Sequence, residues 1–329
     1  MKSKLQLATF IASFLTFHSV FGQGALTPSS APAPTMKSLD QIEARIPISS
    51  APYNILRSGS YYLTGNLTVA GGNAITITTN NVTLDLNGYS IASTEPVATT
   101  NSAILLSGGR MNVAIANGHI SSSVTNDSLG VVFGGSGFGY GIFVSSGNCI
   151  NVRVKNVSVT GVLKHGIYLT PGLSAVVEYC TVYEAGSYGI FADSVSDSSA
   201  ANCGNTGIVA EDAYNCKGVG IGFGVGLNAT TANNCSGTGT GSGHGLIAIT
   251  ANNCSGICSG AGVGVSATTA NNCFGQSSTG TGLSVTIANS CVGQTASAGT
   301  GLFAFIANGC HGVASGGTPL VATHNVNSF

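Results

Sequence analysis

From Cys216 onward the chain repeats itself. Cysteines at 216, 235, 254, 273, 291 and 310 are separated by 19, 19, 19, 18 and 19 residues, and four of them follow an Ala-Asn-Asn or Ala-Asn-Ser tripeptide, as in Ala232-Asn233-Asn234-Cys235. A second element keeps the same register. A Gly-apolar string starts at Gly141, Gly166, Gly189, Gly207, Gly226, Gly245, Gly264, Gly282 and Gly301, with steps of 25, 23, 18, 19, 19, 19, 18 and 19. A unit of this length cannot bury an apolar face alone, so a period near 20 predicts a stacked array in which each copy is one rung.

Periodicity and propensity decide between strand and helix. In each string the second and fourth positions are apolar or small while the third and fifth vary widely, which is a period of two with one face buried. The 48 glycines disfavour continuous helix. The predicted fold is all-β, a single right-handed parallel β-helix of roughly 12 rungs, at ~4.8 Å per rung. Asparagine before each cysteine suits a tight corner, because it tolerates left-handed backbone, and stacked asparagines would form an internal amide ladder.

Charge is scarce, with Lys+Arg 10 and Asp+Glu 11, and no charged side chain follows Lys217. The absence of a basic face argues against a nucleic-acid partner. At the N-terminus, Lys2 and Lys4 precede an apolar run over residues 5–17, too short to span a bilayer, with Val20-Phe21-Gly22 at its end. The expected organisation is a signal peptide over 1–22, a Pro/Ser/Ala linker over 23–35, an N-terminal cap segment over 36–58 with a short helix at 36–43, and the β-helix over 59–329. The mature chain is expected to be secreted, extracellular or periplasmic, with no integral membrane segment.

The strings Pro34-Thr35-Met36-Lys37-Ser38-Leu39-Asp40-Gln41-Ile42-Glu43, Gly59-Ser60-Tyr61-Tyr62-Leu63-Thr64-Gly65-Asn66-Leu67 and Val82-Thr83-Leu84-Asp85-Leu86-Asn87-Gly88 resemble the opening of secreted bacterial right-handed β-helix proteins of the pectin-lyase-like group. The resemblance runs from about residue 34 to the end. It implies the fold, and a range of lyases, hydrolases, epimerases and proteins without activity. Gly243-His244-Gly245 is similar to a polygalacturonase string. The Asn-Thr-Asp and Asp-Asp strings of those enzymes are absent, and Arg153-Val154-Lys155 lies before the histidine instead of after it. Inverting hydrolysis needs two placed carboxylates, and the charge-free segment around His244 supplies none. The calcium-site strings and the Arg-x-Pro-x-x-Arg string of pectate lyases are also absent. Asp85 reads as a turn residue.

Stacking the rungs brings one candidate site together. Phe143, Tyr168 and Phe191 fall at the outward third position of successive strings, with Tyr140, His165 and Tyr188 just before the glycines. At the fifth position Ser145 and Thr170 lead into Asp193 and Glu211, expected as an outward carboxylate pair flanked by Lys164 and Asp212. Aromatic columns beside polar groups suit sugar rings, although β ladders also favour stacked aromatics for their own sake. Catalytic candidates are Lys164, His165, Asp193 and Glu211, with Arg153 a further base.

The ten cysteines are expected to be buried free thiols, because parallel side chains on stacked rungs hold Cβ atoms further apart than a disulfide needs. Their spacing does not fit a zinc site. The leading functional reading is a non-catalytic secreted or cell-surface β-helix that contacts polysaccharide or cell-envelope glycan through the aromatic face, with no cofactor or metal. The alternative is a polysaccharide lyase or epimerase acting on uronate-containing glycan, for which Asp193 and Glu211 would hold Ca2+. A third reading, ice binding by Thr230, Thr268 and Thr286, is interrupted by Ile249 and Phe305.

Overall fold

A computed structural model describes residues 43–127, 132–170 and 173–329. The expected signal peptide, the linker and all but the last residue of the helix expected over 36–43 lie outside the described residues. The chain divides into two compact units, Met1–Ala44 and Arg45–Phe329. The second is all β, a right-handed parallel β-helix of about 14 turns against roughly 12 expected. Ile46–Ile48 pairs in parallel with residues 61–63, and Tyr53–Ile55 with Ile75–Ile77. Residues 46–55, expected in the cap segment, therefore already belong to the ladder. Among the described residues no helix is long and apolar enough to cross a membrane.

Each turn carries three strand positions. The first begins at the Gly-apolar string, the second follows it directly, and the third follows the corner before or at the cysteine. The first position stacks Ile142, Ile167, Ile190, Ile208, Leu227, Leu246, Val265, Leu283 and Leu302 in direct register, and all nine are fully buried. This is the inward column that the repeat predicted. From Ile208 onward the first and second positions fuse into single long strands, Leu227–Asn233, Leu246–Asn252, Val265–Asn271 and Leu283–Asn289.

Close approach explains the repeated glycine. A Cβ on Gly226 would stand 2.5 Å from the carbonyl oxygen of Gly245 and 2.1 Å from the Thr238 nitrogen, and a Cβ on Gly245 2.5 Å from the oxygen of Gly264. A second glycine column, Gly218, Gly237, Gly256, Gly275, Gly293 and Gly312, faces the first from the third position. Its added Cβ atoms would lie 2.0–2.3 Å from the same run of carbonyls. In these turns backbone meets backbone across the interior.

The two asparagines of each repeat divide the corner between them. Asn234, Asn253 and Asn272 have φ of 53°, 51° and 52°, the left-handed region that asparagine tolerates. The preceding Asn233, Asn252, Asn271, Asn289 and Asn308 form the amide ladder, each Nδ2 donating to Oδ1 of the previous rung at 2.7–2.8 Å. An earlier ladder runs through Asn81, Asn112 and Asn151. Asp85 Oδ1 accepts the Asn87 N–H at 2.9 Å and the Asn117 side-chain amide at 3.1 Å, which bears out its reading as a turn residue.

All ten cysteines are buried free thiols. They are more than small hydrophobes. Cys235, Cys254 and Cys291 donate Sγ–H to the carbonyl two residues back at 3.2 Å, and the sulfurs of Cys254, Cys291 and Cys310 receive the backbone N–H of the cysteine one turn earlier at 3.4–3.5 Å. Ser198 occupies the same position, and its Oγ accepts the Cys180 N–H at 3.0 Å. Burial pushes the Cys180 and Cys203 thiols up, to about 11 and about 12.

Candidate functional site

The rungs of Gly141, Gly166 and Gly189 depart from the minimal repeat. Strands at the first position shrink to Ile167–Tyr168 and Ile190–Phe191, and longer segments connect them to the second. An antiparallel hairpin, Ser123–Asn126 with Phe133–Ser136, branches off before Tyr140. It lies along the corner leading into the first position. The Phe133 ring would sit 2.8 Å from a Cβ on Gly204, and Asn126 Nδ2 donates to Asn202 Oδ1 at 3.0 Å. Nothing in the repeat register signalled this hairpin. Its trace in the sequence is the surplus of residues between Ser121 and Tyr140 over the shorter turns.

Beside the hairpin the six expected aromatic and imidazole rings do come together. Within a rung, Tyr140 and Phe143 stack at 4.0 Å and His165 and Tyr168 at 4.7 Å between centroids, while Tyr188 and Phe191 lie 5.6 Å apart. Between rungs, Phe143, Tyr168 and Phe191 follow at 5.7 and 4.9 Å, and Tyr140, His165 and Tyr188 at 5.4 and 5.2 Å. Direct strand register, Phe143 to Tyr168 to Phe191, sets this spacing. Tyr140 is buried and the other five rings are half-buried. Among the described residues, the phenol oxygens of Tyr140, Tyr168 and Tyr188 have no protein hydrogen-bond partner. The Lys164 ammonium stands 5.6 Å from the Tyr140 ring centre.

Burial, with Lys164 beside it, lowers the His165 pKa to about 4, so the ring is neutral at pH 7. Its Nδ1 lies 3.4 Å from the Tyr188 N–H as acceptor, which places the proton on Nε2. His244 repeats the device more tightly, accepting the Val263 N–H at 2.9 Å. This histidine closes a corner. Burial also raises the Tyr168 phenol, with Tyr188 and Tyr140 adding to the shift.

The expected outward carboxylate pair does not form. Glu211 is exposed, but Asp193 is buried at 8% exposure, and its Oδ2 accepts the N–H groups of Ser174 and Ala175 at 3.0 and 2.7 Å. The reason is the preceding rung. Its first strand stops at Tyr168 and its second begins at Leu173, and Ser174 adopts φ 91°. Asp193 turns inward to receive these two donors. Asp212 is exposed, and Arg153 lies on the second face, with Nε donating to Asn151 Oδ1 at 3.3 Å, away from the rings. A calcium ion needs several convergent oxygens. Asp193 Oδ2 is already engaged, and among the described residues no three His, Cys, Asp or Glu side chains gather to hold a metal. The donor set does not fit that ion.

No protein-family model matches this chain, and no curated protein matches it. Among solved structures, the crystal structure of the Dettilon tailspike protein is similar, with 13% identity over 87% of this chain and 59% of that one, and a TM-score of 0.30. The chain thus spans less than two thirds of that protein, and a superposition this loose carries no inference about function.

Proposed function

We propose that this is an exported, non-catalytic glycan-binding β-helix whose saccharide-contacting surface is the six-ring cluster over the rungs of Gly141, Gly166 and Gly189. One observation carries the reading. Three phenol hydroxyls without protein partners share a half-buried surface with one ammonium and an Nε2–H, a donor-rich apolar patch of the kind that suits sugar hydroxyls. The rings occupy much of each other's faces, so a saccharide meets their edges and their hydroxyls. The lyase or epimerase alternative has less support. A histidine lowered to about 4 is a weak base near neutrality, and Asp193 serves its own backbone.

The test is a glycan array followed by titration of the best binder. Tyr168→Ala is expected to weaken binding at least about tenfold while leaving the melting temperature nearly unchanged. Folded wild-type protein that binds nothing across a broad panel would sink the proposal. Uronate-lyase activity that disappears in Lys164→Gln would favour the alternative.

A further inference from the structure

The charge-free turns carry a second surface that the glycan reading does not use. Where the first and second positions fuse, the outward side chains of Leu227–Asn233 through Thr318–Val326 form one flat face whose register runs without a shift. Threonines alternate on it with large apolar groups. Ile249, Phe303 and Phe305 are 56%, 48% and 50% exposed, Val321 pairs with Phe303, and Ile306 pairs with Ile287. Ile249 and Phe305 are the residues that break the threonine array.

We propose that this face binds a second copy of the same chain in a symmetric contact. Charge argues for that occupant. No Asp, Glu, Lys or Arg follows Lys217, so the face offers a charged partner nothing to pair with, whereas its own copy brings no charge to desolvate. Area is consistent. Six rungs at ~4.8 Å by seven residues at ~3.3 Å give roughly 550 Å² per copy, about 1,100 Å² in total, at the lower edge of specific interfaces. A patch with two half-exposed phenylalanines on adjacent columns is also larger than scattered surface residues require. The contact is therefore weak and insensitive to salt.

Sedimentation velocity on the full protein from ~1 to ~100 μM, in low and high sodium chloride, tests it. A monomer–dimer equilibrium with a midpoint in the range of tens of μM is expected, unchanged or tightened by salt. Phe305→Ser combined with Ile249→Thr should weaken it at least about tenfold with an unaltered melting curve. Thr268→Lys, on an exposed central rung, should abolish it even if the double variant folds poorly. A monomer at every concentration, a dimer that survives Thr268→Lys, or one that dissolves in salt would overturn the proposal. The last result would point to a contact made by the charged residues before Lys217.

Discussion

The turns before and after Thr206 are filled in opposite ways. Opposite the first glycine column, the third position carries Val159, Val182, Ala200 and then Gly218 in direct register, and it stays glycine to Gly312. Side chains thus give way to backbone within three turns. In the later turns the interior holds one Leu or Val, two small residues that are mostly alanine, a cysteine and glycine, as in Leu227, Ala229, Ala232, Cys235 and Gly237. A rung with no spare space repeats at 18–19 residues because any longer inward group would collide. The earlier, wider rungs tolerate insertions, and they hold the hairpin, nearly all the charges and the aromatic cluster. Uniformity marks the thin part and irregularity marks the part that carries the candidate site.

The strongest test of that contrast is a single methyl group. Gly226→Ala places a Cβ 2.1 Å from backbone on the facing strand, and backbone cannot yield locally. The expected cost exceeds about 3 kcal/mol or prevents folding. Gly71→Ala, where a Cβ meets nothing within 4 Å, should leave the urea midpoint within about 0.5 kcal/mol of wild type. Equal effects would show that the glycine columns are not a close-packed seam.

Truncating the shared column comes next. Ile167→Ala and Leu246→Ala each remove a fully buried aliphatic chain and should cost about 2–5 kcal/mol in chemical denaturation. Leu246→Ala should be the worse of the two. Its neighbours Ala229, Ala248 and Ala251 are too short to fill the cavity, whereas Ile167 is surrounded by Val, Ile and Leu able to shift. A reversed order would mean that the thin turns collapse around a void more readily than the wide ones.

These contrasts also separate what the sequence made legible from what it hid. The register of Ile167, Leu246 and their column was readable because every copy keeps its length and its apolar alternation. The amide ladder was readable because asparagine at a corner has few other uses. The second glycine column recurs at 18–19 residues as regularly as the cysteines, yet glycine leaves no hydrophobic signal and it went unnoticed. Asp193 was misplaced for a different reason. Counting positions from Gly189 puts it outward, like Thr230 in the fused strands, but its direction is set by two N–H groups in the longer connection one turn earlier. A single rung's pattern cannot show what its neighbour leaves unpaired. The six rings were found together because they lie on the ladder itself, and the hairpin beside them was missed because it lies off it.

Ser198 tests whether the cysteine position serves hydrogen bonding in both regions. Ser198→Ala strands the buried Cys180 N–H and should cost about 1–3 kcal/mol. Ser198→Cys restores the acceptor used in the later turns, as between Cys235 and Cys254, and should recover most of that loss. If alanine is as good as cysteine there, the thiol column is only a row of small hydrophobes.

The smallest expected effect is a pH dependence confined to the wide rungs. His165 has a folded pKa of about 4 against an ordinary 6.5, so between those values the unfolded chain holds more protons than the folded one. Its contribution is full above pH 6.5, falls as the pH drops toward 4, and stays lost below that. For a half-buried ring the change is on the order of 1–2 kcal/mol. Urea midpoints at pH 7, 5.5 and 4 should show the decline in wild type and a flatter profile in His165→Asn, whose side-chain oxygen can still accept the Tyr188 N–H. An unchanged slope in the variant would place the proton-linked loss elsewhere. The aromatic cluster would then have to accommodate a protonated imidazole without strain, which its stacked neighbours at 4.7 and 5.2 Å and the nearby Lys164 ammonium argue against.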